Sequence, residues 1–314
     1  MANPHFIERK ACPACGTDPT DVLYRCAYTE PPIRHMLEAR FADQGAVDLS
    51  MLEGADYVLA ECPSCTLIFQ RFVPDEFLAD VVSEQWHDPD RALNQRGRAV
   101  LVRGHYALEI LGVLDHLGRE RQPLRFLDFG MGWGRWVQMA EAFGVETYGV
   151  EPLGSRTELA TGHHLKVLNP SEIRNMRFDF INSEQVFEHI PNPVELAAQL
   201  GEVLEPGGIF KISVPNGMRV KRRLRAGDWL APYGSRNSLN DVFPLQHINA
   251  FNHRALIRLG ERAGLVPVRI PARLRYRYAP VWERPSRLLK RTVGAHYRAL
   301  RGQTTVVWFR RQGG

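Results

Sequence analysis

The stretch Phe126-Leu-Asp-Phe-Gly-Met-Gly-Trp-Gly-Arg-Trp136 decides the fold of this chain. An apolar run leads to Asp128, glycines follow at Gly130, Gly132 and Gly134, and an amphipathic segment begins directly afterwards. Such glycines permit a tight turn, the approach of a ligand to bare backbone, and close packing of the next helix. A strand, a glycine loop and a helix in this order predict a nucleotide-binding turn at the carboxyl end of a sheet strand.

The spacing of the glycines distinguishes between nucleotides. A dinucleotide fingerprint, G-x-G-x-x-G/A, would place a small residue at position 135, but Arg135 occupies it. Asp128 precedes the loop, where a carboxylate could meet a positively charged amino group. A second apolar run, Thr147-Tyr-Gly-Val-Glu151, ends in a carboxylate suited to ribose hydroxyls. The pattern favours a cationic amino-acid nucleoside, although Glu151 could instead be a charge at a helix N-terminus.

The segments on either side of this loop predict an α/β fold. From Leu124 onward, short apolar runs alternate with amphipathic segments, which is typical of a parallel sheet covered by helices on both faces. The predicted strands are Arg125–Phe129, Thr147–Val150, Phe178–Asn182, Ile209–Val214 and, at the end of the chain, Thr304–Arg310. The predicted helices include Val137–Phe143 and Val194–Leu204.

From Leu124 to its end the chain resembles the class I S-adenosylmethionine-dependent methyltransferases. The segment Phe178-Asp-Phe-Ile-Asn-Ser-Glu-Gln-Val-Phe-Glu-His-Ile-Pro-Asn-Pro193 is similar to the family's D-x-I-x-x-x-x-V-x-E-H-x-P-x-P. Leu200-Gly-Glu-Val-Leu-Glu-Pro-Gly-Gly208 is similar to the motif that precedes its fifth strand. The resemblance implies a Rossmann-like sheet that is mostly parallel and has an antiparallel last strand.

The resemblance also implies a set of cofactor-binding residues. The glycine loop would line the methionine and ribose, the carboxylates would hold the amino group and the ribose, and the residues after the third and fourth strands would lie near adenine and the sulfonium. These residues are Asp128, Gly130, Gly132, Gly134, Glu151, Pro152, Asn169, Ser183, Glu184 and Gln185.

Three residues are candidates for catalysis. His189 follows the fourth strand, and His247 precedes a predicted helix at the position of a Glu–His pair in related sugar C-methyltransferases. Gln246 replaces the glutamate of that pair, which argues against methylation of carbon. Tyr233 lies in an aromatic, turn-rich stretch where relatives carry substrate-covering insertions. His247 is the first choice for a general base, while structural roles for all three residues remain open.

Two pairs of cysteines indicate a metal site. Cys12-Pro-Ala-Cys15 and Cys62-Pro-Ser-Cys65 can supply four thiolates to a structural Zn²⁺, and four thiolates leave no open position for catalysis. The region resembles the N-terminal zinc-binding domain of sugar-modifying methyltransferases. We therefore expect a β-rich, zinc-ribbon-like domain at 1–75, a helical linker at 76–122 and an S-adenosylmethionine-binding methyltransferase domain at 123–314.

The charge distribution bears on partners. The net charge is +5, and much of the basic excess lies between Arg269 and Arg301, which could attract phosphate, nucleic acid or an anionic membrane. The predicted acceptor is a polar small molecule such as a sugar or nucleotide sugar, which could bear a phosphate, methylated on oxygen or nitrogen. The alternatives are an RNA methyltransferase and a non-enzymatic S-adenosylmethionine-binding scaffold.

The sequence also bears on location. No apolar run is long enough to span a bilayer, and the N-terminus lacks the apolar core of a signal peptide. These features predict a cytoplasmic protein without a transmembrane segment. They do not indicate an oligomeric state.

Overall fold

The computed structural model describes residues 3–18, 21–41, 48–85, 96–118, 123–151, 165–269 and 304–313. The described strands are β1 (Phe6–Glu8), β2 (Asp21–Ala27), β3 (Asp56–Glu61), β4 (Ile68–Gln70), β5 (Phe72–Pro74), β6 (Arg125–Phe129), β7 (Glu146–Val150), β8 (Lys166–Val167), β9 (Phe178–Glu184), β10 (Leu204–Pro215), β11 (Asn249–Ala250), β12 (Leu265–Val268) and β13 (Thr304–Arg311). The described helices are α1 (Ile33–Phe41), α2 (Glu76–Gln85), α3 (Arg96–Leu117), α4 (Arg135–Ala142), α5 (Pro193–Glu202), α6 (Val220–Ala226) and α7 (His253–Arg262).

The chain divides into two compact units that do not follow the predicted linear order. Unit 1 comprises Met1–Ala92, Phe187–Val194 and Pro215–Arg262, and unit 2 comprises Leu93–Val186, Glu195–Val214 and Ala263–Gly314. The predicted linker at 76–122 is not a separate element, since α2 belongs to unit 1 and α3 to unit 2. Residues 86–95 and 119–122 of that range lie outside the described residues.

Unit 1 contains a four-stranded antiparallel sheet with the order β11-β4-β3-β2 and a two-stranded sheet of β1 and β5. Its C-terminal segment belongs with the N-terminal region because β11 pairs with β4, with Asn249 opposite Phe69 and Ala250 opposite Ile68. Apolar side chains from both segments share one core, in which Tyr57 and Leu59 pack with Val242 and Phe243. Hydrophobic burial therefore holds together two parts of the chain that are distant in sequence.

Unit 2 contains a seven-stranded sheet with the order β12-β13-β10-β9-β6-β7-β8. Strands β6 to β10 run parallel, and β12 pairs antiparallel with β13. The mostly parallel, Rossmann-like sheet expected from sequence is therefore confirmed. Apolar side chains from α3, α4 and the sheet form a core that includes Ile110, Trp136 and Phe180. Within the described part of the chain, no helix combines the length and the apolarity that crossing a membrane requires.

Candidate active site

The glycine loop follows β6 at the carboxyl edge of the unit 2 sheet. Gly130, Gly132 and Gly134 all have positive φ angles, of 80°, 54° and 68°, which side chains rarely tolerate. A Cβ at Gly130 would also collide with Cγ2 of Val186, and one at Gly134 with Cδ1 of Leu165. The three glycines are therefore required by the backbone, and Gly134 forms the N-cap of α4.

Glu151 ends the neighbouring strand and faces the loop. Its side chain is buried, and Oε2 accepts a hydrogen bond of 2.8 Å from the backbone N–H of Gly132. This bond joins the two cofactor motifs predicted from sequence within unit 2. Pro152 lies outside the described residues. Asn169 is exposed after β8, and its backbone N–H donates to Oε2 of Glu172 at 2.6 Å.

Asp128 lies at the end of β6 with only 3% of its surface exposed. Oδ1 accepts a hydrogen bond of 2.7 Å from Nδ2 of Asn182, the residue opposite it on β9. Burial raises the pKa of Asp128 to about 7, a shift that the Asn182 hydrogen bond opposes. Among the more distant charges, Glu184 raises this pKa and Lys211 lowers it.

A buried ion pair that sequence reasoning missed lies on the same sheet. Lys211 of β10 stands opposite Asn182, and its Nζ donates to Oε1 of Glu109 at 2.8 Å and to Oε2 of Glu184 at 3.4 Å. Burial alone would lower the pKa of Lys211, but the two carboxylates outweigh it and the pKa is raised. The nearby indole N–H of Trp136 donates to the same Glu109 oxygen at 3.2 Å. Glu184, predicted to flank the sulfonium, is thus fixed by a buried cation.

The two neighbours of Glu184 are fixed by the backbone. Ser183 is buried, and Gln185 takes a left-handed conformation with φ of 58°. The backbone N–H of Gln185 donates to the carbonyl oxygen of Ser213 at 2.8 Å. Unit 2 therefore brings together the glycine loop, Asp128, Glu151 and the end of β9, as expected of parallel strands.

The two candidate histidines lie side by side in unit 1. The ring centroids of His189 and His247 are 4.9 Å apart in an edge-to-face arrangement. Nδ1 of His189 lies 3.0 Å from the backbone oxygen of Gln246, and its Nε2 lies 3.9 Å from Oε1 of the buried Glu188. A carbonyl can only accept, so Nδ1 carries the proton and Nε2 keeps its lone pair in the neutral ring. Glu188 completes a group of three side chains with converging ligand atoms.

The two imidazoles differ in environment. His189 leaves 42% of its side chain exposed, whereas His247 is 8% exposed. Burial, and then the neighbouring His189, lower the pKa of His247 well below the ordinary histidine value. A hydrogen bond to the backbone of Asn240 opposes this shift. His247 is therefore neutral at pH 7.

The loop that carries His247 is held by strands of the cysteine-rich region, which sequence reasoning also missed. Nε2 of Gln70, on β4, donates to the backbone oxygens of Phe243 at 3.0 Å and His247 at 3.1 Å. The hydroxyl of Tyr57, on β3, donates to the backbone oxygen of Val242 at 2.5 Å. A buried glutamine in an otherwise apolar strand was the signal that could have indicated such a role.

Tyr233 occupies an exposed turn in unit 1. A backbone hydrogen bond of 3.0 Å from Ser235 to Pro232 closes the turn. The guanidinium carbon of Arg40 lies 5.8 Å from the tyrosine ring. Because Arg40 also contributes to lowering the pKa of His247, one cation lies within electrostatic reach of Tyr233 and the imidazoles. A catalytic role for Tyr233 stays a prediction.

The four predicted metal ligands converge in unit 1. Sγ of Cys12 lies 3.6 Å from Sγ of Cys65, and Sγ of Cys15 lies 3.3 Å from Sγ of Cys62. Tetrahedral zinc with Zn–S bonds of about 2.3 Å requires sulfurs roughly 3.8 Å apart. The donor set therefore fits a closed Zn²⁺ site, and Arg9 provides electrostatic compensation because its charge interacts with Cys12.

Comparisons with known proteins were made with the sequence and with the fold. The family model described as "Methyltransferase domain" matches residues 102–270, which is more than half of the 314 residues. No curated protein matches the chain at a significant level.

Solved structures show the same fold. The plantazolicin methyltransferase BamL, in complex with a triazolic desmethylPZN analog and SAH, has 14% identity and a TM-score of 0.51, with 74% of this chain and 94% of that chain covered. An S-adenosylmethionine dependent methyltransferase from Mesorhizobium loti has 16% identity and a TM-score of 0.43, with 63% and 95% covered. PKMT2 from Rickettsia typhi, in complex with AdoHcy, has 14% identity and a TM-score of 0.43, with 67% and 53% covered. Given the extent of the family match, the chain belongs to the methyltransferase-domain family and is an S-adenosylmethionine-dependent methyltransferase.

Proposed function

We propose that this enzyme methylates an oxygen or nitrogen atom of a polar small molecule, such as a sugar or nucleotide sugar. The observation that carries the proposal is the pair of imidazoles, His189 and His247, beside the buried Glu188. A hydroxyl acceptor must lose its proton as the methyl group arrives, and an imidazole is suited to take it at neutral pH. Gln246 has no carboxylate, which disfavours the acid–base pair of the carbon-methylating relatives.

The cofactor is held by residues of unit 2 in this proposal. Glu151 accepts hydrogen bonds from the ribose hydroxyls, the glycine loop faces the ribose and methionine, and Asp128 with Glu184 attracts the positively charged amino group. The bound cofactor supplies an electrophilic methyl group on a sulfonium. The chain contributes mainly by positioning the reactants and excluding water.

We assign the general base to His189 ahead of His247. His189 exposes its side chain and has Nε2 available, while its Nδ1–H donates to the backbone of Gln246. The imidazolium formed by proton transfer would be stabilised by Glu188, whose Oε1 lies 3.9 Å from Nε2. His247 is buried and resists protonation, so its role is to support the ring of His189.

The cysteine cluster is proposed to hold one structural Zn²⁺. All four ligands are cysteines that are buried or half-buried, and a site with four thiolates has no place for a substrate or water. The metal would join the knuckle at Cys12 and Cys15 to the β3–β4 turn at Cys62 and Cys65. That turn belongs to the sheet that fixes the His247 loop through Tyr57 and Gln70.

The substrate class can be tested by measuring S-adenosylhomocysteine release. The purified enzyme would be incubated with S-adenosylmethionine and a panel of dTDP- and UDP-linked hexoses, and in parallel with total RNA. We expect turnover with a member of the sugar panel. Turnover with RNA alone would contradict the proposal in favour of the nucleic-acid alternative. Tight cofactor binding without turnover on any acceptor would favour the scaffold.

The base assignment predicts a large effect on rate at His189. We expect His189→Gln to lower kcat by roughly 10²- to 10⁴-fold, the usual contribution of a general base. The cofactor Kd should remain within about twofold of the native value, because His189 belongs to unit 1 and has no predicted role in cofactor binding. The measurement is the pH profile of kcat on the acceptor found in the panel, which should lose its rise on the acid side in the variant. His35→Gln changes an exposed histidine of the same unit and serves as the control. A variant with native kcat would remove His189 from the chemistry.

The pKa of Asp128 predicts that cofactor affinity depends on pH. In the free protein this pKa is about 7, and a bound ammonium group favours the carboxylate, so the pKa falls on binding. Binding therefore releases a proton below pH 7, and Kd should decrease as pH rises toward about 7 and then level off. Calorimetric titration between pH 6 and about 8 checks this, and Asp128→Asn should show weaker binding with a flat profile. An unchanged Kd across this range in the native protein would contradict the assigned role.

A further inference from the structure

An excess of positive charge marks the surface around α6 in unit 1. Between positions 217 and 236 the chain carries one acid, Asp228, and six basic residues: Arg219, Lys221, Arg222, Arg223, Arg225 and Arg236. This segment is separate from the arginine-rich stretch at 269–301, of which only Arg269 is described. The surface plays no part in the function proposed above.

The basic residues are divided between two faces of α6. Val220 belongs to the unit 1 core and Leu224 packs against it, so this face points inward. Met218, Arg222 and Arg225 are spaced four and three residues apart, which places them together on the opposite, exposed face. Three of the residues on this outer surface are thus fixed by the packing of the inner one.

The guanidinium groups are held close together without full compensation. Nη2 of Arg222 donates to the backbone oxygen of Arg236 at 3.1 Å, which brings the turn against the helix. Loss of solvation, and then the charges of Arg236, Arg219 and Arg223, lower the pKa of Arg222. Arg223 forms an ion pair with Asp241. Among the residues that the structure describes, no carboxylate lies within 4.0 Å of Arg222, Arg225 or Arg236, so a bound anion would relieve their mutual repulsion.

Large apolar side chains are exposed among these charges. Met218 is 73% exposed and Leu230 is 58% exposed. The backbone beneath them is well anchored, because Trp229 is buried with its ring 4.5 Å from that of Tyr24. Oδ1 of Asn216 also accepts a hydrogen bond of 3.0 Å from the backbone N–H of Met218. Exposed methionine and leucine have no complement on a nucleic-acid backbone, but they fit the boundary between lipid headgroups and acyl chains.

We propose that these residues form a basic platform that binds the surface of a membrane containing anionic phospholipids. The platform consists of Met218, Lys221, Arg222, Arg225, Leu230 and Arg236. Its arginines pair with headgroup phosphates, and its two apolar side chains enter the interface. Lys221, whose Nζ also pairs with Glu61 at 2.7 Å, lies among the arginines and adds to the local potential. Peripheral attachment of this kind needs no membrane-spanning helix.

The proposal is tested by flotation of the full chain with vesicles. We expect binding to vesicles of equal parts phosphatidylcholine and phosphatidylglycerol, little binding to pure phosphatidylcholine, and a decrease as NaCl is raised. Each removed arginine should weaken binding about fivefold, so Arg222→Gln/Arg225→Gln should weaken it about 25-fold. Leu230→Ser should weaken it roughly three- to tenfold at every salt concentration, because it removes apolar contact.

Matched controls remove equal charge and equal apolar surface elsewhere in unit 1. Arg25→Gln/Arg258→Gln removes two exposed arginines, and Val22→Ser removes a comparably exposed apolar side chain. If these controls weaken binding as much as the platform variants, or if phosphatidylcholine binds equally well, the proposal is overturned. Tighter binding to a single-stranded RNA oligonucleotide, unaffected by Leu230→Ser, would also overturn it, in favour of nucleic acid. A native thermal melting profile for each variant ensures that folding is not the cause.

Discussion

Replacing Cys62 with serine is expected to abolish metal binding and to destabilise unit 1 severely. A structural zinc site contributes about 10–16 kcal/mol in isolated zinc fingers, which is comparable to the whole stability of a domain. Unit 1 also has an apolar core of its own, so we expect a partial loss of about 5 kcal/mol. This corresponds to a fall in Tm of roughly 10–20 °C for a unit of this size. Metal analysis of the reduced protein should fall from one equivalent of zinc to none.

The same substitution should reduce turnover more than it reduces cofactor binding. Cys62 follows β3 directly, and β3 with β4 holds the backbone of Val242, Phe243 and His247 through Tyr57 and Gln70. Loss of the metal should therefore disturb the histidine pair, while the glycine loop and Glu151 belong to unit 2. Cys26→Ser is the matched control, since Cys26 lies outside the cluster. Native protein with much less than one equivalent of zinc, or a variant with an unchanged Tm, would show that the cysteines do not form a structural metal site.

The sheet of unit 2 could be predicted because its sequence is locally consistent. The apolar runs ending at Phe129, Val150 and Asn182 are short and bounded by glycines or charges, and each lies in a parallel strand of the observed sheet. The division of the chain could not be predicted in the same way. It depends on pairing between Asn249–Ala250 and β4, a contact between residues about 180 positions apart that leaves no periodic pattern.

The site was predictable where a motif fixes the backbone and not where tertiary packing fixes a side chain. Gly130, Gly132 and Gly134 adopt the positive φ angles that their residue type permits, and Glu151 reaches the loop as expected. The roles of Lys211 and Gln70 were missed. A buried lysine paired with Glu109 on a distant helix reads in sequence as an ordinary charge within a strand. Only the folded structure shows that such a polar group is compensated by partners far away in the chain.

Glu151 is predicted to be the residue on which cofactor affinity depends most. Its carboxylate is buried, and it can accept charge-assisted hydrogen bonds from two ribose hydroxyls in addition to that from Gly132. Each such bond contributes about 1.5–3 kcal/mol, so Glu151→Ala should weaken binding of S-adenosylmethionine by at least about 100-fold. Glu202→Ala, which removes an exposed carboxylate from α5, should leave Kd unchanged. Equal affinity in the Glu151 variant would place the ribose elsewhere.

Calorimetric titration of the native protein with S-adenosylmethionine, S-adenosylhomocysteine and NAD tests the central claim most directly. The account predicts stoichiometric binding of both sulfur nucleosides, a large loss of both in Glu151→Ala, and no heat of binding with NAD. The loop geometry around Gly134, with Arg135 in place of the small residue of a dinucleotide fingerprint, is the basis of that contrast. Binding of NAD in place of the sulfur nucleosides, or the absence of binding by either sulfur nucleoside, would contradict the account.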